Sequence, residues 1–241
     1  GYWSDHQIIY LQKLLEIAEQ VQPGTLQSLW TRPIFAYADV PYRLRPYQDM
    51  LDDWYNTIDF DWDSEQATAT AVEEMGTDAR LCRNDDGAVI HVTMVEKLLV
   101  LLLAKLTNLV PEGGIWMNTQ RPEWNDANNA LVGKGISVVT TAYLRRFIAF
   151  WQAQLAGAET ATFHVNVAIR DLLEAVQAIL ASSQSSLETG ISAEDRRAVM
   201  DALGTAATES RSRIYGDGLP AEQAEVSGRA LGDCLALALI H

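Results

Sequence analysis

The chain has 241 residues, 48% of them hydrophobic, and a formal net charge of −14 with an isoelectric point near 4.6. That length makes one large domain or two small ones, with enough apolar side chains for a sizeable core. The acidity, with no basic stripe to meet phosphates, argues against a nucleic-acid partner.

The most apolar run, Leu98 to Leu103, is flanked by Glu96, Lys97 and Lys105. It is far too short to span a bilayer and reads as a buried helix, so no membrane partner is expected. No secretory signal opens the chain, and a cytoplasmic location is expected. Cys82 and Cys234 lack metal-ligand spacing, and His6, His91, His164 and His241 are scattered, so no metal site is expected. A disulfide between the two cysteines stays open at this point. The opening Gly-Tyr-Trp and the uncapped closing run LALALIH read as the edges of a piece of a longer polypeptide.

In chain order, Ser4 or Asp5 can cap a first helix over His6–Val21, stopped by Pro23-Gly24. A short helix is predicted near Leu26–Trp30. Residues 33–62 are rich in aromatics and proline, and read either as a pocket-shaping loop or as a packed cover over helix ends. A helix follows over 64–75, capped by Asp63 or Ser64. The turn Asn84-Asp85-Asp86-Gly87 between RLCR and AVIHV predicts a β-hairpin insertion at about 79–93. Further helices are predicted over Met94–Leu109, Ser137–Leu155, Thr160–Ser182, Ala193–Ile214 and Ala221–Ile240, with a polar linker at Ser182–Ser186. The expected architecture is a single mainly α domain over residues 1–241. Its helices, joined by long aromatic loops, suit part or all of an (α/α)6 toroid, against a plain helical bundle.

One stretch between these helices is dense in polar grip. From Trp116 to Gly133 the chain reads WMNTQRPEWNDANNALVG. Glu123 and Asp126 supply carboxylates. Asn118, Gln120, Asn125, Asn128 and Asn129 supply amides that donate and accept hydrogen bonds. Arg121 adds a fixed cation, and Trp116 and Trp124 add flat apolar faces. Amides and carboxylates for hydroxyls, with an aromatic face for a ring's C–H patch, are the parts of a sugar site. A polar loop before a helix, capped by Asn125 or Asp126, is the competing reading. A second neighbourhood of the same character opens the chain: Tyr2-Trp3-Ser4-Asp5-His6-Gln7. Glycosyl transfer needs at least one protonated carboxyl to deliver a proton to the leaving oxygen. No HExxH, CxxC, GxSxG or phosphate-binding glycine loop offers another chemistry.

The run Glu123-Trp124-Asn125-Asp126-Ala127-Asn128-Asn129 resembles the Asp-Trp-Asn-Asp-Gly motif of cellobiose phosphorylases and cyclic β-1,2-glucan synthases, bacterial-type (α/α)6-barrel enzymes. Ser4-Asp5-His6 resembles the Asp-Asp-His segment of the same group, in which an acid binds the donor sugar. Glu123 stands where the group has Asp, Ala127 where it has Gly, and Ser4 where it has the first Asp. The resemblance covers about the first half of the chain. It implies a carbohydrate-active enzyme that cleaves or phosphorolyses a glycosidic bond with inversion. It places the acid in the Glu123–Asp126 motif without choosing between the two, and has Asp5 grip a sugar; Asn125, Asn128 and Asn129, able to orient Asp126, make it the first choice and Glu123 the second. Trp3, His6, Trp116, Asn118, Gln120, Arg121, Trp124, Asn125, Asn128 and Asn129 are the remaining candidate contacts to a disaccharide or oligosaccharide. No cofactor is expected beyond inorganic phosphate as a co-substrate. A non-catalytic sugar-binding module and a helical interaction domain are the alternatives.

Overall fold

The computed structural model describes residues 7–118, 132–188 and 190–241. Helix dominates, at 61%. The first helix opens as a π-helical stretch, Gln7–Leu11, and continues as α1, Gln12–Val21. Gly24 then turns the chain at a φ of 84° into α2, Thr25–Leu29. Residues 33–62 are more regular than an aromatic loop. They hold β1 (Phe35–Ala36), β2 (Tyr42–Leu44), α3 (Tyr47–Asp52) and β3 (Ile58–Phe60). Strand β2 pairs antiparallel with β3, Arg43 opposite Asp59. Helix α4, Trp62–Met75, starts two residues before the expected position, because the carboxylate of Asp61 rather than Asp63 accepts from the Ser64 N–H. No residue of α4 is buried, so it is a surface excursion.

The expected hairpin at 79–93 is there in narrow form. Asn84 N–H donates to Ala88 O, Ile90 N–H to Cys82 O, and Arg83 bridges Val89. Gly87 takes a φ of 78° in the turn. The arms also pair outward with the aromatic segment. Cys82 N–H donates to Tyr37 O, and β4 (His91–Val92) runs antiparallel to β1.

The remaining elements build the core. Helix α5, Met94–Leu106, is followed by β5 (Leu109–Val110), β6 (Gly114–Trp116) and β7 (Ile136–Ser137). Then come α6 (Val138–Leu155), β8 (Thr162–Asn166), α7 (Val167–Glu188), α8 (Ala193–Asp217), β9 (Gln223–Ser227) and α9 (Gly228–Ile240). Two predicted helices are therefore corrected at their starts. Thr160–Ser182 begins as a strand, as does Ala221–Ile240. Each strand alternates, with Phe163, Val165 and Val226 turned inward, and the two pair antiparallel over five residues. Ser182–Ser186 is not a linker but the last turns of α7.

Local chemistry fixes where the helices start. Thr93, Ser137, Ser192 and Ser227 each accept an N–H from three residues on, and Asn166 Oδ1 accepts from Ala168 N–H. Helix α5 is apolar nearly all round, and its leucines sit inside one apolar cluster that reaches from Ile8 to Leu235.

Side-chain contacts give the helix directions. Asn166 N–H donates to Glu96 at 2.9 Å, so α5 and α7 start together. Ser183 Oγ lies 2.8 Å from His241 Nε2, so α7 and α9 end together. Arg213 lies 3.8 Å from Asp171, as the antiparallel pair α7–α8 requires. Gly228 opens α9 beside Ala158, just past the end of α6, where a Cβ would stand 2.0 Å from the Ala158 carbonyl oxygen. Taken in chain order, the core helices α1, α5, α6, α7, α8 and α9 alternate in direction.

The joint between α5, β8 and the aromatic segment is polar and buried. Thr93-Met94-Val95-Glu96 has the spacing of a capping box, yet the Glu96 carboxylate is drawn elsewhere. It accepts from Tyr37 Oη at 2.8 Å and from Asn166 N–H, with the residue 1% exposed. Lys97 donates to Ala36 O at 2.6 Å. Burial raises the Glu96 pKa above its ordinary 4.5, and the two donors offset this only in part. A carboxyl raised in this way stabilises the fold fully below 4.5, and that contribution is lost as pH rises through the raised value. Glu96→Gln is therefore expected to gain stability relative to wild type as pH climbs above 4.5, read as the difference between their urea midpoints across pH. Parallel profiles would show that Glu96 does not titrate abnormally.

Candidate functional site

The polar stretch is carried on a β-hairpin. Strand β6 is the middle of a three-stranded antiparallel sheet, with Leu109 opposite Ile115 on one side and Ile115 opposite Ser137 on the other. The connection from β6 to β7 contains residues 119–131, which lie outside the described residues. Gln120, Arg121, Glu123, Trp124, Asn125, Asp126, Asn128 and Asn129 fall there. Trp3, Asp5 and His6 lie outside them as well, before Gln7.

The stem of that hairpin is tightly closed. Met117 N–H donates to Gly135 O at 3.0 Å, and Gly133 N–H donates back to Met117 O at 2.6 Å. Trp116 Nε1 donates to Gly133 O at 3.0 Å. Asn118 Nδ2 donates to Asn108 Oδ1 at 2.7 Å, while Asn108 Nδ2 is anchored on Ala104 O, at the last turn of α5. Met117 and Gly133, which flank that connection, thus lie side by side.

Of the candidate contacts, Trp116 and Asn118 are described, and both are buried. The Trp116 ring is 8% exposed and packs edge-on against Tyr47, centroids 6.2 Å apart. Tyr47 is itself fixed by its hydroxyl on Asp201 and by Thr208 on its backbone N–H. Trp116 is a support within the stem, with its N–H committed to Gly133. Spacing alone could not separate this role from that of an open platform, since a tryptophan beside a loop fits both. Sequence reasoning also missed Asn108, Tyr47 and Trp54 as stem residues. The last two belong to the aromatic segment, but nothing in the sequence says which rings meet the stem.

On the other side of the stem, Gly133 holds a φ of 76°, and a Cβ there would meet Trp54 O at 2.5 Å. The Trp54 ring lies under the Lys134 ammonium, 4.7 Å from the ring centroid. Helix α6 starts directly from the stem. Ser137 caps it, and Thr141 Oγ1 accepts from Ile115 N–H at 3.0 Å.

The first helix comes to this same end. Its π-helical start packs against α6. Lys13 lies over the Tyr143 ring at 5.5 Å, and Glu16 takes a two-pronged contact from Arg146. Both pairs are 130 positions apart, so the helices run parallel. The Arg146 hydrogen bonds, above all, hold the Glu16 carboxyl below its ordinary value. Extending that offset brings Gln7 level with Ser137, where the stem ends. The segments flanking both acid–tryptophan motifs therefore lie at one end of the fold.

Elsewhere the chemistry is thin. An apolar cavity of about 30 Å³, room for roughly two waters, lies among α5, α6, α7 and α9 and is lined by Leu98, Leu102, Trp151, Leu173, Leu231 and Cys234. It has no group to grip a sugar hydroxyl, and burial pushes the Cys234 thiol up to about 12. Cys82 and Cys234 are both free thiols. His164 is exposed on β8, beyond the opposite end of α6. Among the described residues no three His, Cys, Asp or Glu side chains gather as a metal site, and no helix is long and apolar enough to cross a membrane.

The fold and stem thus define a mainly α-helical protein in which the polar stretch departs from a small antiparallel sheet. No family model matches the chain, and no curated protein matches it.

The stem makes its own test. Gly133→Ala must force a side chain into the Trp54 backbone at a positive φ, and is expected to cost about 1–3 kcal/mol of stability. Chemical denaturation would measure this. A variant as stable as wild type would show that the stem does not need the Gly133–Trp54 approach.

Proposed function

We propose that the protein is a carbohydrate-active enzyme of the α/α-toroid type that breaks a glycosidic bond with inversion. The observation that carries this reading is the parallel packing of the first helix on α6, with both pairs 130 residues apart. It brings Gln7, close in sequence to Asp5 and His6, to the same end of the fold as the stem that flanks residues 119–131. Two motifs far apart in sequence, each pairing acids with tryptophan, then have the means to share one ligand. The alternation of the core helices supports an architecture of antiparallel helix pairs.

In this reading Asp126 gives its proton to the glycosidic oxygen as the bond to the anomeric carbon breaks. Inorganic phosphate attacks that carbon from the opposite face, which inverts it; in hydrolysis water attacks instead and gives its proton to a carboxylate base. Glu123, three positions away, helps Asp126 keep its proton by charge repulsion, and is the second choice as donor. Asn125, Asn128 and Asn129 orient the acid. Asp5, His6, Gln120 and Arg121 are assigned to sugar hydroxyls and Trp3 and Trp124 to ring faces, while Trp116 and Asn118, buried in the stem, serve as its support.

Turnover of a β-linked glucobiose, with and without phosphate, tests the reading. Asp126→Asn keeps the shape and removes the proton. It is expected to cost about two to four orders of magnitude in rate while saccharide binding survives. Phosphate dependence would assign phosphorolysis, and its absence hydrolysis. Unchanged turnover in both Asp126→Asn and Glu123→Gln would place the acid elsewhere. A wild type that cleaves no glycoside would overturn the enzyme reading.

A further inference from the structure

A row of rings leads from the β2–β3 ribbon out to the surface. Tyr42 and Phe60 stand opposite each other across the two strands, with ring centroids 4.7 Å apart. Trp62, the first residue of α4, lies against Phe60 at 4.0 Å and is 70% exposed. The row holds the indole in place and leaves most of it to solvent. A large ring already fixed by its neighbours loses little entropy when a partner lands on it, and tryptophan is accordingly a common interface anchor.

Helix α4 continues this surface. Trp62, Gln66, Ala69 and Glu73 share one face of the helix, and all four are exposed. At 14 residues the helix is about 20 Å long, enough to lie along an extended or helical segment of another chain.

Charge selects what that face fits. Residues 46–79 are rich in Asp and Glu and contain no Lys, Arg or His. Arg45 reaches in from outside this run to Asp49 and Asp59. Among the described residues, no cation pairs with Asp63, Glu65, Glu73, Glu74 or Asp78. Asp63 and Glu65 suit the positive N-terminal end of α4. Glu73 and Glu74 lie at its other end, where the last turn has no basic residue, so two carboxylates face the negative end of the helix dipole with nothing to offset them. A cation brought by a partner relieves that conflict, and the face of an indole is the aromatic surface that attracts Lys and Arg most strongly.

We propose that the outer face of α4, anchored on Trp62, docks a basic polypeptide segment. One Lys or Arg of the segment lies on the Trp62 ring, and others pair with Glu73 and Glu74 at the far end of the helix. This docking role does not depend on the carbohydrate reading.

The test is the fluorescence anisotropy of a labelled hexa-arginine peptide titrated with the full chain. It is run at about 0.15 M salt, where attraction between exposed charges is screened beyond about 8 Å. Wild type is expected to bind. Trp62→Ala keeps every charge and is expected to weaken binding about 3- to 10-fold, the scale of a cation–ring contact, with Trp62→Tyr restoring most of it. Glu73→Gln combined with Glu74→Gln is expected to weaken binding by a similar factor. Glu225→Gln combined with Asp233→Asn removes the same charge from exposed positions on β9 and α9 and is expected to leave binding unchanged. A wild type that does not bind the peptide would overturn the docking surface. So would equal weakening by the two double variants with no effect of Trp62→Ala, which is the mark of unspecific attraction to an acidic protein.

Discussion

The parallel packing of the first helix on α6 is the constraint from which the rest follows. Glu16 grips Arg146, and Lys13 covers Tyr143. Neither contact is a large source of stability, because Arg146 is exposed and its charge is screened by water. Their effect is on register. Ile8 and Leu15 on the inner face are fully or nearly buried, and together with the two polar contacts they fix both the direction and the offset. A reversed or shifted first helix would carry the segment before Gln7 away from the loop stem.

The second constraint is the closed stem. Hydrogen bonds across Met117, Gly133 and Gly135 fix the two points between which residues 119–131 connect. The stem is held in turn by three separate parts of the chain. Asn108 ties it to the end of α5, Tyr47 packs under Trp116, and Trp54 sits against Gly133. Helix α8 joins the same assembly through Asp201 and Thr208, which hold Tyr47. Mounting a loop on a rigid base is how folds combine adaptable polar groups with a fixed location.

Much of this was legible in the sequence, and the exceptions have physical reasons. The long helices showed in their apolar periodicity, and Ser137 and the Asn84–Gly87 turn marked local boundaries correctly, because capping and turn chemistry act within three residues. The strands at Thr162–Asn166 and Gln223–Ser227 did not show. Five alternating residues in front of a helix blend into its apolar pattern, and their partners lie some sixty residues away. Glu96 figured only as a charge flanking an apolar run, and only the approach of Tyr37 and Asn166 reveals that it links three elements. Trp116 stood out as a ring beside a polar run. Its burial follows from Tyr47, which no local pattern could pair with it. The acid motifs were legible as residue types, whereas the closeness of the segments that flank them depends on a register between two helices 130 residues apart.

The account stands or falls on whether the two acid–tryptophan motifs meet. The direct measurement is a spin-label distance between Ser4→Cys and Asn128→Cys, with Cys82 and Cys234 replaced by serine and alanine. Helix α6, at 18 residues, is about 27 Å long and serves as the internal ruler. A distance distribution centred well below that length, and narrowed by a β-linked glucobiose, is the expected result. A distribution centred at or beyond the length of α6, unmoved by saccharide, would contradict a shared site.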